Sequence, residues 1–235
     1  MSSDQASAAA WARVDEYIEM SLHKSEDTFA RALRDARAAS AAAGLPSIAV
    51  MPNQGKALML LARACDARHV LEVGTLGGYS TLWLAKGVGP QGRVVTLELD
   101  EKHARVARQN FKAAGMDHTI ELLQGRASES LAGLDRQVAS GTRPAFDMTF
   151  IDADKPSTPD YLGWAVRVSR PGAIIVIDNV VRDGEVANSH STDPNVLGIR
   201  RTMELIAADP RLEATAIQTV GEKGYDGFLM AVVAR

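Results

Sequence analysis

Hydrophobic positions along the chain follow helical spacing first and strand spacing afterwards. Trp11, Val14, Ile18 and Leu22 recur three or four residues apart, and Phe29 and Leu33 begin a second stripe. The pattern predicts two helices ahead of every other element. Ser25, followed by Glu26 and Asp27, reads as an N-cap with acids in the first turn of the second helix, and "GLP" at 44–46 stops it.

Beyond them the chain alternates. "HVLEVG" (69–74), "RVVTLEL" (93–99), "TIELLQG" (119–125), "FDMTFID" (146–152) and "GAIIVIDN" (172–179) are short runs of strand character. Helical candidates follow them at 79–86, 101–114, 128–140, 158–169 and 196–208. Strands joined by crossover helices imply βαβ units, hence a parallel sheet covered on both faces. The close differs: "LEATAIQTV" (212–220) and "FLMAVVAR" (228–235) read as two strands joined by the turn "GEKGYDG" (221–227). The expected fold is therefore α/β, a doubly wound, mostly parallel seven-stranded sheet with a C-terminal antiparallel hairpin. No composition break marks a boundary, so 1–235 is read as a single domain with 1–45 as an N-terminal helical extension.

Composition narrows the function. A chain of 235 residues with 46% hydrophobic content can bury a substantial core. The net charge of −3, with bases and acids interleaved, gives no global attraction for nucleic acid or an anionic membrane. Cys65 is the one cysteine, which excludes an internal disulfide and fits a reducing compartment. The opening residues lack a basic leader followed by an apolar run, and no stretch approaches the ~18 apolar residues of a membrane span. A cytoplasmic protein is expected.

The first strand runs into "LEVGTLGGYS" (71–80), a glycine turn where an open α/β sheet places its ligand crevice. A dinucleotide fingerprint needs a second glycine where Leu76 stands, so the spacing of Gly74, Gly77 and Gly78 argues for a ligand without a pyrophosphate. Glu72 lies inside the strand, where a carboxylate needs a partner; a ligand cation, or a water held by one, could serve. Glu98 ends the second strand, where nucleoside-binding sheets place an acid on the ribose hydroxyls. A tight ligand-free turn and a solvated strand end are the plain alternatives.

Acids also end the next two strands: "IDADK" (151–155) and "IDN" (177–179). In a parallel sheet Asp152, Asp178 and Asn179 then share one edge, and three oxygen-bearing side chains suit a hard divalent cation with room for water and substrate. Lys155, one short turn from Asp152, would stand beside whatever the metal holds. A lysine next to a divalent cation is repelled in its charged form, which favours a neutral amine that can act as a base. Taken singly, Asp152 and Lys155 could be no more than a surface ion pair.

With "LEVGTLGGYS", "VVTLELD", "FIDADK" and "RPGAIIVIDNV" in order, the chain resembles the class I S-adenosylmethionine-dependent O-methyltransferases of the cation-dependent type, the group of catechol and caffeoyl-CoA O-methyltransferases. The resemblance runs from about residue 46 to the end and implies the Rossmann-like methyltransferase fold. It implies S-adenosylmethionine bordered by Glu72, Gly74, Tyr79 and Ser80, with Glu98 on the ribose, Ala127 at the adenine, and Ile48 and Val50 closing from the helical side. Asp152 and Asp154 match positions close to the cofactor. Asp152, Asp178 and Asn179 match the metal ligands, for Mg2+ or in its place Mn2+ or Ca2+, and Lys155 the catalytic lysine.

The implied reaction is methylation of a hydroxyl on a small vicinal-diol, catechol-like aromatic, in a homodimer whose N-terminal region could reach the partner's site. The family's aromatic after "DADK" is replaced here by "PSTPDY", leaving Tyr161, so acceptor preference is expected to lie there. A nicotinamide-dependent oxidoreductase and a non-catalytic nucleoside-binding protein of the same fold are the competing readings. Trp83 and Trp164 are expected to pack, and His69, His103, His118 and His190 to be surface or capping residues.

Overall fold

The computed structural model describes residues 3–23 and 27–234. The chain opens with α1 (Ser3–Leu22), α2 (Thr28–Ala42) and α3 (Pro52–Ala64). It continues as β1 (His69–Val73), α4 (Tyr79–Val88), β2 (Arg93–Glu98), α5 (Glu101–Ala113), β3 (Ile120–Gln124), α6 (Ala127–Ala139) and β4 (Phe146–Ile151). After β4 come α7 (Thr158–Val168), β5 (Ser169–Asp178), α8 (Pro194–Ala208), β6 (Leu212–Gly221) and β7 (Gly224–Val233).

The seven strands form one sheet in the order β3-β2-β1-β4-β5-β7-β6. β1 to β5 run parallel, and β7 pairs antiparallel with both β5 and β6. Strand order reverses at β1, which has β2 on one side and β4 on the other, and the crevice opens at that switch point. The doubly wound reading holds.

Side chains alternate across the sheet and build two cores. Val70, Met148, Phe150 and Val176 pack with Leu82, Trp83 and Met59 under α3 and α4. Leu71, Val73, Ile151 and Ile177 pack with Leu131, Leu162 and Ile199 under α6, α7 and α8. β1 is thus covered on both faces, which is why its sequence lacks the polar alternation of a half-exposed strand.

Three local expectations are revised. A third helix, α3, precedes the sheet; Pro52 sits in its first turn and Leu58, Met59 and Ala62 are its buried face. The expected long turn at 221–227 is a two-residue connection, because Gly221 pairs with Gly224 and the polar residues after it belong to β7. The cap of α2 is Asp27, whose side chain accepts from the Ala30 N–H at 2.7 Å. Ser25 and Glu26 lie outside the described residues. The α1 stripe is only partly covered, with Val14 56% and Leu22 65% exposed.

Asp15 fastens α1 to the rest. Its carboxylate accepts from the Glu222 backbone N–H at 2.9 Å and from the Asn53 side chain at 3.1 Å. The N-terminal helix is thereby tied both to the β6–β7 turn and to the start of α3. Among the described residues, no helix is long and apolar enough to cross a membrane.

Candidate active site

A cavity of about 1040 Å³ opens at the carboxyl ends of the central strands, with α2 and the 45–50 loop forming the opposite wall. Gly74 makes that convergence possible. Its φ is +102°, and a β-carbon there would stand 2.2 Å from the Asp152 carbonyl oxygen, so only glycine lets the ends of β1 and β4 close together. Glu98, buried at the end of β2, fixes the rest of the turn. One carboxylate oxygen accepts from the Thr75 and Leu76 N–H groups at 3.3 and 2.7 Å, and the other from Asp100 N–H at 2.9 Å. His103 Nδ1 is 3.7 Å from the same side chain.

Glu72 is fully buried and lies behind the cavity wall rather than on it. Its partners are three hydroxyls of the protein itself: Ser80 at 2.6 Å, Thr96 at 2.6 Å, and Thr81. The expected ligand cation or water is therefore not what balances this carboxylate. Burial pushes its pKa up to about 7, partly countered by the hydroxyls, and Asp152 adds to the rise. Ser80 and Tyr79, at the start of α4, do face the cavity.

The acids of β4 and β5 meet at the other end. Lys155 is buried, with its Nζ 3.0 Å from Asp152 Oδ1. Asp178 lies just behind the wall, and burial together with the Asp152 charge pushes its pKa up to about 7. The Asn179 N–H donates to Asp178 Oδ1 at 2.9 Å, and the Gln54 side chain bonds the same carboxyl. Asn179 itself lines the cavity with φ +56°, a conformation asparagine tolerates better than most residues. Asp152 and Asp178 are near enough for one charge to raise the other's pKa, and carboxylate oxygens of this kind are the hard donors a divalent cation takes. Among the described residues, no cluster of three or more His, Cys, Asp or Glu side chains is placed to hold a metal ion.

Asp154 begins the segment in which acceptor preference is expected to lie. Its carboxylate accepts from Ser157 N–H at 3.2 Å and from the Tyr161 hydroxyl at 2.7 Å. Burial opposes its ionisation, yet these bonds hold Asp154 below the ordinary carboxylate value. The Tyr161 hydroxyl is pushed up to about 12 by burial and by Asp154. "PSTP" is accordingly a joint. Lys155–Ser157 make one 3-10 turn, and Pro159 starts α7 where its missing N–H costs nothing.

One cavity thus gathers Ile48 and Val50 from the α2–α3 loop with Gly74, Tyr79, Ser80 and Glu98. Ala127, Asp152, Asp154, Lys155 and Asn179 face it as well, while Glu72 and Asp178 stand directly behind. Trp83 is core, as expected. Trp164 both packs and lines the cavity, and His103 lines it beside Glu98 rather than standing as a surface or capping residue. Sequence reading missed Gln54, Arg37, Lys223 and Gly198. Arg37 stacks over the Tyr79 ring at 5.7 Å, and Lys223 on the β6–β7 turn donates to the Ala49 carbonyl oxygen. A β-carbon on Gly198 would collide with the Lys155 backbone.

The profile of the family described as O-methyltransferase matches residues 20–230. The chain belongs to the O-methyltransferase family. This O-methyltransferase is 50% identical over 220 residues to a catechol O-methyltransferase of Mycobacterium tuberculosis, covering 94% of each chain. Among solved structures it is similar to an O-methyltransferase from Bacillus cereus in complex with SAH, at 50% identity and TM-score 0.90, covering 96% of this chain and 99% of that one. It is also similar to TomG from Streptomyces achromogenes, involved in tomaymycin synthesis and solved with SAM, at 44% identity and TM-score 0.90 over the full length of both chains. The fold is the Rossmann-like methyltransferase fold. Membership favours methyl transfer over the nicotinamide-dependent oxidoreductase and over a non-catalytic nucleoside-binding protein.

Proposed function

We propose that this O-methyltransferase moves the methyl group of S-adenosylmethionine to one hydroxyl of a small vicinal diphenol, with a divalent cation, Mg2+ for preference, at Asp152, Asp178 and Asn179. The observation that carries the reading is that Asp152, Asn179 and Lys155 line the same cavity as the glycine turn and Glu98, with Asp178 directly behind them. Relatives named for catechol methylation and structures holding SAM or SAH support it. Residues 1–235 would act as one methyltransferase unit, residues 1–45 being a helical extension whose α2 lines the unit's own cavity. A cytoplasmic homodimer fits the lone Cys65 and the family resemblance.

The chain's own residues divide the work. Glu98 keeps free lone pairs toward the cavity for ribose hydroxyls, and its bonds to Thr75 and Leu76 hold the turn in shape. Ser80, with its proton committed to Glu72, presents a lone pair beside Gly74 and Tyr79 where the amino-acid part of the donor would lie. Ala127, at the first turn of α6, and Ile48 and Val50 on the facing loop would enclose the nucleoside. A cation held by Asp152, Asp178 and Asn179 would supply chelation of two neighbouring oxygens and a lowered hydroxyl pKa. Lys155 would take the hydroxyl proton, its position fixed by Asp152 and by the 3-10 turn that Asp154 caps. Alignment of oxygen and methyl group in a closed cavity then supplies much of the rate.

Incubation with S-adenosylmethionine, Mg2+ and 3,4-dihydroxybenzoate, followed by mass spectrometry, tests the reading. A monomethyl ether of the acceptor is expected. Absence of turnover on any vicinal diphenol would contradict it.

A further inference from the structure

The loop between α2 and α3 walls the cavity opposite the sheet, and a side chain from the far end of the chain holds it. Ile48, Ala49 and Val50 line the cavity, yet residues 45–51 carry no helix or strand of their own. The place of such a segment depends on bonds from elsewhere. Lys223, in the β6–β7 turn, lines the same cavity and donates from Nζ to the Ala49 carbonyl oxygen. A bond from a charged donor is among the stronger hydrogen bonds, and this one joins residues 174 positions apart.

The turn is held in its place from α1. β6 and β7 are joined by Glu222 and Lys223 alone, since Gly221 pairs with Gly224. In so short a connection the placement of one residue fixes the other. Asp15 accepts from the Glu222 N–H at 2.9 Å, and a β-carbon on Gly221 would stand 2.5 Å from Asp15 Oδ2, so the turn backbone lies directly against the carboxylate. The other oxygen, Oδ1, accepts from the Asn53 side chain at 3.1 Å, and the Asp15 carbonyl oxygen accepts from the same amide at 3.4 Å. Asn53 belongs to the first turn of α3. One residue of α1 therefore fixes both the start of α3, where the loop ends, and the turn whose lysine holds the middle of the loop.

We propose that Asp15 is a positioning residue for cofactor retention: it sets the β6–β7 turn so that Lys223 latches residues 48–50 over bound S-adenosylmethionine. The inference rests on the reading under Proposed function, because Ile48 and Val50 must enclose the nucleoside. Neither Asp15 nor Glu222 lines the cavity, so Asp15 acts through Lys223 and touches no reacting group.

The test measures release of radiolabelled S-adenosylmethionine from the full chain into an excess of unlabelled cofactor, without acceptor or metal, so that no chemistry enters the measurement. Release should be about tenfold faster in Lys223→Met and about three- to tenfold faster in Asp15→Ala. Asp15→Asn keeps an oxygen for the Glu222 N–H and should release the cofactor at close to the parent rate. In the double variant, Asp15→Ala should add nothing to the effect of Lys223→Met on release, while thermal denaturation still registers the lost tie of α1. A parent-like rate in Lys223→Met, or effects that multiply in the double variant, would overturn the inference. Failure of the parent chain to bind S-adenosylmethionine would overturn both the latch and the reading of the cavity beneath it.

Discussion

Gly198 in α8 passes Lys155 in backbone contact: a β-carbon on Gly198 would lie 2.2 Å from the Lys155 carbonyl oxygen and 2.9 Å from Pro156 Cα. A backbone cannot swing aside as a flexible side chain can, so the glycine sets where Lys155 stands. Gly198→Ala should gain roughly 1 kcal/mol of helix propensity but lose about 1–3 kcal/mol to overpacking, a net loss of stability. Because the displaced segment carries Lys155, kcat should fall by up to about 100-fold while S-adenosylmethionine affinity changes little. Thermal denaturation, steady-state kinetics and cofactor titration check the three parts.

Lys155→Ala removes the proposed base. The chemical step should slow by about 100- to 10,000-fold, with cofactor affinity close to that of the parent. Single-turnover kinetics beside calorimetric titration of S-adenosylmethionine separates the two. Parent-like turnover would remove Lys155 from the role.

Glu72 gives a pH signature of folding. Its pKa is raised from 4.5 to about 7 in the folded chain, so the native state holds this proton more tightly than the unfolded state does. Stability from this group is then complete below about pH 4.5 and is lost as the pH rises to about 7, on the order of 3 kcal/mol in all. Glu72→Gln cannot ionise and should show a shallower decline across that window. Denaturant melts at several pH values check it; identical slopes for parent and variant would contradict the assignment.

Asp178 should link cation binding to protons. In the metal-free protein, burial and Asp152 keep Asp178 protonated up to about pH 7, so a cation must displace that proton. Mg2+ or Mn2+ affinity should fall by about tenfold per pH unit below 7, with one proton released on binding. Calorimetry in buffers of different ionisation enthalpy measures the release. Asp178→Asn should bind more weakly and without the proton.

Much of this was legible in the chain because the signals were local. Strand runs separated by helical spacing fixed the parallel sheet, and acids at the ends of two successive strands placed Asp152, Asp178 and Asn179 on one edge. α3 escaped because its buried face, Pro52, Gly55, Leu58, Met59 and Ala62, is masked in the sequence by the apolar Leu60 and Leu61 beside it: the helix packs against α4 while Leu60 remains exposed. The hairpin turn was overestimated because Gly224, Asp226 and Gly227 carry turn chemistry, yet the pairing of β6 with β7 takes them into the strand. Gly198, Lys223 and Gln54 left no local mark at all. Each reaches the site from an element far away in sequence, and only tertiary packing shows which wall it joins.

Chelation is the most direct test of the central claim. The enzyme is dialysed against EDTA and assayed with S-adenosylmethionine and 3,4-dihydroxybenzoate, before and after Mg2+ is restored. Turnover should be lost with EDTA and return with Mg2+ in the parent, and fail to return in Asp152→Ala. Undiminished methylation in EDTA would contradict the assignment of Asp152, Asp178 and Asn179 to a catalytic cation.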